Sequence, residues 1–172
     1  VPPGRSAALV LAGLWLGLLV ASWIAATASF RGVDRVLGAE ARPELQSRLA
    51  PVSPADRRPV LRHLASEVNR WMFARLAVVQ LALAAGLVLC AWRLGGASRT
   101  LALLIAALAV GQTALGPAIA SLGRANDFVP RPLPPDVGRR FGLLHGSYVL
   151  LDLAKAGGLA ALAWLVARAP LK

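Results

Sequence analysis

Residues 141–158 read FGLLHGSYVLLDLAKAGG, an apolar run interrupted by His145, Tyr148, Asp152 and Lys155. The four polar positions are separated by 3, 4 and 3 residues. At 100° per residue their directions on an α-helix fall within about 80° of one another. The rest of the circumference is mainly Leu, Val, Ala and Gly. Such a helix belongs in lipid, with its narrow polar face turned toward other helices.

Three further runs, 6–30, 76–92 and 100–123, contain no Asp, Glu, Lys, Arg or His. Crossing a bilayer takes about 20 apolar residues, and only helices and closed barrels satisfy the backbone there. The reading is an all-α, integral membrane, four-helix antiparallel bundle, one domain over 1–172. Its spans are expected at about 7–30, 72–93, 100–122 and 140–167, with extramembrane loops at about 31–70 and 124–139. The start, VPPGR with an apolar stretch and ATA (26–28), also has the outline of a secretory signal. It is read here as the first span. The chain is 57% hydrophobic, against about 45–50% for soluble domains.

The net charge of +11 flanks the apolar runs instead of forming a basic face with interleaved aromatics, so nucleic acid is not an expected partner. Cations beside spans meet anionic lipid and help set topology. Arg5, Arg93, Arg99, Arg168 and Lys172 lie on one side, called A. Loops 31–70 and 124–140, on side B, hold most of the remaining cations. The positive-inside rule then makes side B cytoplasmic and both termini non-cytoplasmic. A bacterial inner membrane is the expected location.

Within loop 31–70, Ser53-Pro54-Ala55-Asp56 has the residues of a helix start, and Pro59 is expected to open a second helical stretch. Leu61, Leu64, Val68 and Trp71 then recur at helical spacing. They predict an amphipathic helix that begins outside the membrane and runs unbroken into the second span. The loop NDFVPRPLPPDVG (126–138) has four prolines and is expected to be extended.

Small residues permit close helix approach in lipid. Gly13, Gly17, Ala21 and Ala25 form a stripe on span 1, a predicted helix contact, internal or with another protein. Gly142 and Gly146, then Ala154 and Gly158, offer the same on span 4. Gly116-Pro117 should bend span 3.

Asp152 lies close to mid-membrane, where a lone charge costs roughly 2.5–3.5 kcal/mol. Pairing with Lys155 one turn on offsets much of that. Gln112 sits at comparable depth, and His145 is nearer side B, level with Arg75, Gln80, Thr27 and Ser29. This polar face fits either a structural clamp or a path for a proton, ion or substrate. His145, Ser147 and Asp152 cannot form a hydrolase triad, because positions 145 and 147 diverge by about 200° on a helix. One cysteine, Cys90, and one Met exclude an internal disulfide and a soft-metal cluster. No paired-carboxylate metal motif or phosphate-binding Gly loop is present. No cofactor is expected beyond the open alternative of a haem or chlorophyll held by His145 alone.

GLWLG (13–17), SFR (29–31), ELQSRL (44–49) and above all FGLLHG with LDL (141–153) resemble the transmembrane-protein-205-like family, domain of unknown function 4149. The resemblance matches Phe141, His145 and Gly146 to the aromatic and His-Gly of that family's last span. It implies four spans, with roles in membrane trafficking and in metal or drug tolerance suggested for the family. The long loop 31–70 and the Asp152/Lys155 pair depart from its pattern. The expected function is a non-enzymatic accessory or scaffolding subunit of a larger membrane complex, respiratory and photosynthetic assemblies being candidates. The alternative is a small transporter or channel component using the Asp/Lys/His face.

Overall fold

The computed structural model describes residues 3–38 and 42–168; Lys172 of the side-A cations lies outside them. Five helices follow in order: α1 (Pro3–Leu37), α2 (Pro43–Leu49), α3 (Pro54–Leu94), α4 (Gly96–Ala125) and α5 (Pro135–Arg168). The four long ones are each long and apolar enough to cross a membrane. The class read from the sequence is therefore borne out, with helices longer than the expected spans. Most of the expected loop 31–70 is helical. It includes the unforeseen α2, and the irregular stretch before α5 shrinks to 126–134.

Local chemistry sets the helix ends. The Ser53 hydroxyl accepts from the Asp56 N–H at 3.2 Å, with Pro54 at the first helical position. Pro59 opens no new helix but lies inside α3. That helix runs 41 residues, about 60 Å and twice the hydrocarbon thickness. Gly95 and Gly96 have φ of 70° and 48°, a left-handed pair that turns α3 directly into α4.

α1 packs against α3 and α5, and α4 packs against the same two, so the helices form a square. Arg5 of α1 bonds the carbonyl of Ala167 in α5, while Trp23 further along α1 reaches back to Asp152. Trp15 meets Gln80 and Ser29 meets Asn69, which runs α1 antiparallel to α3. Gly158 against Ile105 and Asp152 against Gln112 do the same for α5 and α4.

The inward positions explain the packing. On α1 they are Ala8, Ala12, Trp15, Leu19 and Ser22, and on α5 Asp152, Lys155, Leu159, Leu162 and Val166. Ala102, Ile105, Ala109 and Gln112 follow the same alternation of 3 and 4 on α4. A 3.5-residue seam keeps one face on its partners along a gently supercoiled bundle. A step of four drifts off that seam by about 40° each time.

That drift corrects the internal half of the expectation for span 1, contact within this bundle. Gly13, Gly17, Ala21 and Ala25 are all exposed, and a Cβ at Gly13 or Gly17 would meet nothing within 4 Å. Trp15 and Leu19 hold the inner face instead. Gly142 and Gly146 likewise approach no neighbour within 4 Å. The small residue that α5 needs is Gly158, where a Cβ would stand 2.9 Å from Ile105 Cγ1.

The side-A half of the bundle is filled by Trp15, Leu19, Leu83, Leu87, Ile105, Leu159, Leu162 and Val166 among alanines. The outer surface is apolar too: Val10, Ile24, Val78, Leu89, Leu104, Val110, Leu143 and Leu150 are each more than half exposed. An apolar exterior over this extent is made for lipid.

Candidate functional site: a polar floor and the chamber above it

Gln80, Gln112 and Lys155 each lie thirteen residues from the side-A arginine of their helix, Arg93, Arg99 and Arg168. That common register places them in one layer, about 20 Å from the side-A ends. Lys155 is fully buried, and its ammonium group donates to Gln80 Oε1, to Gln112 Oε1 and to Asp152 Oδ1 at 2.9 Å. An ammonium has three N–H groups, and all three are used. Gln112 Nε2 donates to Asp152 Oδ1 at 2.8 Å and to the Tyr148 carbonyl at 3.2 Å. The indoles of Trp23 and Trp15 donate to Asp152 Oδ2 and Gln80 Oε1, each at 3.2 Å. Among the described residues no buried side-chain nitrogen or oxygen lacks a partner. A buried charge pair is tolerated when its remaining hydrogen-bonding capacity is met in this way.

The structure thus brings Asp152, Lys155, Gln112 and Gln80 together. It moves Gln80 from the expected level of His145 down to that of Lys155. It also recruits Trp15 and Trp23, which the sequence reading passed over. Their signal was available: an indole N–H inside a span needs an acceptor. Arg75 does not join the polar face. It is exposed, with its guanidinium 5.8 Å from the Trp71 ring centre, on the outside of α3. A long cationic side chain there can extend along the lipid surface toward the headgroups.

Toward side B the seams continue, but their side chains shrink. Ala26, Ala74, Ala77, Gly116, Ala120 and Gly123 face one another where the other half has Trp, Leu and Ile, and a cavity of about 970 Å3 results. Its floor is Gln80, Gln112 and Asp152, and its walls include Trp23, Phe30, Phe73, Phe141 and Tyr148. Tyr148 meets Phe73 edge-on at 5.8 Å, and its hydroxyl has no hydrogen-bond partner among the described residues. His145 lines the cavity, stacked on Phe141 at 5.8 Å. Exposed Arg62, Arg124 and Arg131 form the rim.

Beside the rim lies a second cluster that the sequence reading missed. Arg70 grips Asp127 with both terminal nitrogens, at 2.8 and 2.6 Å, and also bonds Glu67. Arg124 holds Glu67 at 3.0 Å, and His63 Nδ1 lies 2.7 Å from Asp127 Oδ2. Burial alone would raise the Asp127 carboxyl, but the bonds from Arg70 and His63 hold it below its ordinary value. His63, Glu67 and Asp127 are close enough to share a cation, with ligand atoms within 4.8 Å. Two guanidinium groups already neutralise these carboxylates, so the cluster is an ion-pair lock between α3 and the end of α4.

The amphipathic start of α3 is turned inside out relative to a soluble helix. Val60, Leu64, Val68 and Trp71 face outward, whereas Asn69, Arg70 and Ser66 face the cavity. Apolar outside and polar inside reverses the pattern of a soluble surface helix, and the inward side chains bond the neighbouring elements: Asn69 to Ser29 and Arg70 to Asp127. This segment therefore belongs to the bundle wall rather than standing clear of it.

Fold and site together define an integral membrane protein of four apolar helices. No protein-family model matches the chain, and no curated protein or solved structure does.

Proposed function

We propose that this protein is a non-enzymatic membrane protein that receives a small molecule in the chamber open toward side B. The void carries the reading: about 970 Å3 lined from four helices, directly above a half that is packed solid. Ligand pockets run about 300–1,000 Å3, with mostly apolar walls and a few placed polar groups. Tyr148, His145 and the rim arginines are such groups. The apolar packing beneath the floor favours a cup with one mouth over a continuous pore. A transport role would require the side-A half to open. Native mass spectrometry of protein extracted in mild detergent should show a non-covalent small-molecule adduct. Ala77→Phe, which projects a ring into the chamber, should lose that adduct and keep the melting temperature. No adduct, or one indifferent to Ala77→Phe, would count against the reading.

A second reading, an accessory subunit of a larger membrane assembly, is supported by the outward stripe Gly13, Gly17, Ala21 and Ala25, which no helix among the described residues covers. Placement in a bacterial inner membrane with side B cytoplasmic, contact with anionic lipids, and kinship with the transmembrane-protein-205-like family accompany both readings as proposals.

A further inference from the structure

The chamber's charges do not cancel at its rim. Asp152 is neutralised by Lys155, Asp127 by Arg70, and Glu67 is shared by Arg70 and Arg124. Arg62 and Arg131 are left over. Arg62 has no carboxylate partner among the described residues, and its guanidinium lies 5.5 Å from the centre of the Phe30 ring. Arg131 lines the same rim, with no ion pair among the described residues. Below them Phe30, Phe73 and Phe141 line an apolar throat. The eleven-residue step from Phe141 to Asp152 makes that throat about 16 Å deep. At the bottom, the Tyr148 hydroxyl and the Gln80 Nε2 amide have no hydrogen-bond partner among the described residues, and the other floor side chains bond one another.

We propose that the chamber takes an anionic amphiphile, with a phosphate or carboxylate head at Arg62 and Arg131 and an apolar body along Phe30, Phe73 and Phe141. The proposal rests on the ligand-binding reading above and names the class of ligand. Guanidinium groups suit such heads because their forked N–H groups match the oxygens of either anion. Flanking aromatic and aliphatic walls lower the local dielectric and strengthen that contact. The Tyr148 O–H supplies one donor near the far end, suited to a carbonyl or hydroxyl on the ligand body. A cationic or uncharged head gains nothing at this rim, and a free anion leaves the apolar throat unfilled.

The test is a titration of the full chain in neutral detergent, followed by tryptophan fluorescence, since Trp23 lines the chamber. Three probes are compared: oleoyl lysophosphatidate, oleoyl lysophosphatidylcholine and inorganic phosphate. Lysophosphatidate should bind at least about tenfold more tightly than its choline counterpart, the scale of one charge-assisted contact. Arg62→Gln with Arg131→Gln should bring the two together, while Ala77→Phe abolishes both. Rim residues are exposed, so the double variant should keep the wild-type melting temperature. Equal binding of both lysolipids, indifferent to the arginine changes, would overturn the anionic head and leave the chamber standing as a binding site. Inorganic phosphate binding as tightly as lysophosphatidate would overturn the amphiphile. Failure of all three probes on folded protein would overturn the proposal, and the native-adduct measurement judges the chamber separately.

Discussion

Replacing Asp152 by Asn isolates what holds the floor. In the native layer Asp152 accepts from Lys155, Gln112 and Trp23, with no donor of its own. The substituted side chain keeps one acceptor oxygen and turns an NH2 toward groups that are themselves donors. Lys155 has no exposed surface and loses its only counter-charge, keeping two amide oxygens. Removing one partner of a buried ion pair costs roughly 3–5 kcal/mol. The remaining amide acceptors place this case near the lower end, at about 3 kcal/mol. Asp152→Asn with Lys155→Gln removes both charges, and the new amide at position 155 can again match donors to acceptors with Gln80 and Gln112. The double variant should therefore be about 2 kcal/mol more stable than Asp152→Asn alone, the non-additive behaviour of residues in one network. Melting of wild type, both single variants and the double variant in one detergent measures it. A double variant as unstable as Asp152→Asn, or a single variant as stable as wild type, would refute the reasoning.

Gly158→Leu should destabilise the bundle by about 1–3 kcal/mol through collision with Ile105, whereas Gly17→Leu should leave the melting temperature of the isolated chain unchanged. If a partner covers the α1 stripe, Gly17→Leu should still strip it from native membranes. Because the folded-state pKa of Asp127 lies below its unfolded value, the Arg70–Asp127 lock is fully present above about pH 4 and is lost as pH falls through the folded value. Hydrogen-exchange protection at the end of α4, taken relative to the intrinsic rate at each pH, should fall in acid, and Asp127→Asn should remove that change. In a Cys90→Ala background, cysteines placed within 126–134 should resist an impermeant thiol reagent added outside intact cells; ready labelling would reverse the assigned sides.

The four spans were legible because lipid imposes length and composition on each segment separately. So was the polar face of α5, because 3-4-3 spacing is a property of one helix. Partner assignment was harder. Gln80 and Arg75 sit five residues apart on α3, and only the angle of the seam sends one to Lys155 and the other outward. The Gly13–Ala25 stripe misled for a related reason. A four-residue repeat suggests contact by residue type, whereas the 3.5-residue repeat through Ala8, Ala12, Trp15 and Leu19 is the one that stays on the partner. The chamber arises from small side chains on four helices at one depth. No single segment announces such a coincidence. The Arg70–Asp127 lock joins residues 57 apart and likewise had no local signature.

Cysteine accessibility along α4 in reconstituted vesicles tests the one-mouthed chamber most directly. In the Cys90→Ala background, Thr113→Cys and Ala120→Cys face the chamber, and Ile105→Cys faces the side-A core. A small polar thiol reagent supplied from side B should modify 113 and 120 and leave 105 untouched from either side. Unreactive 113 and 120 would contradict the chamber, and a reactive 105 would contradict its closed base.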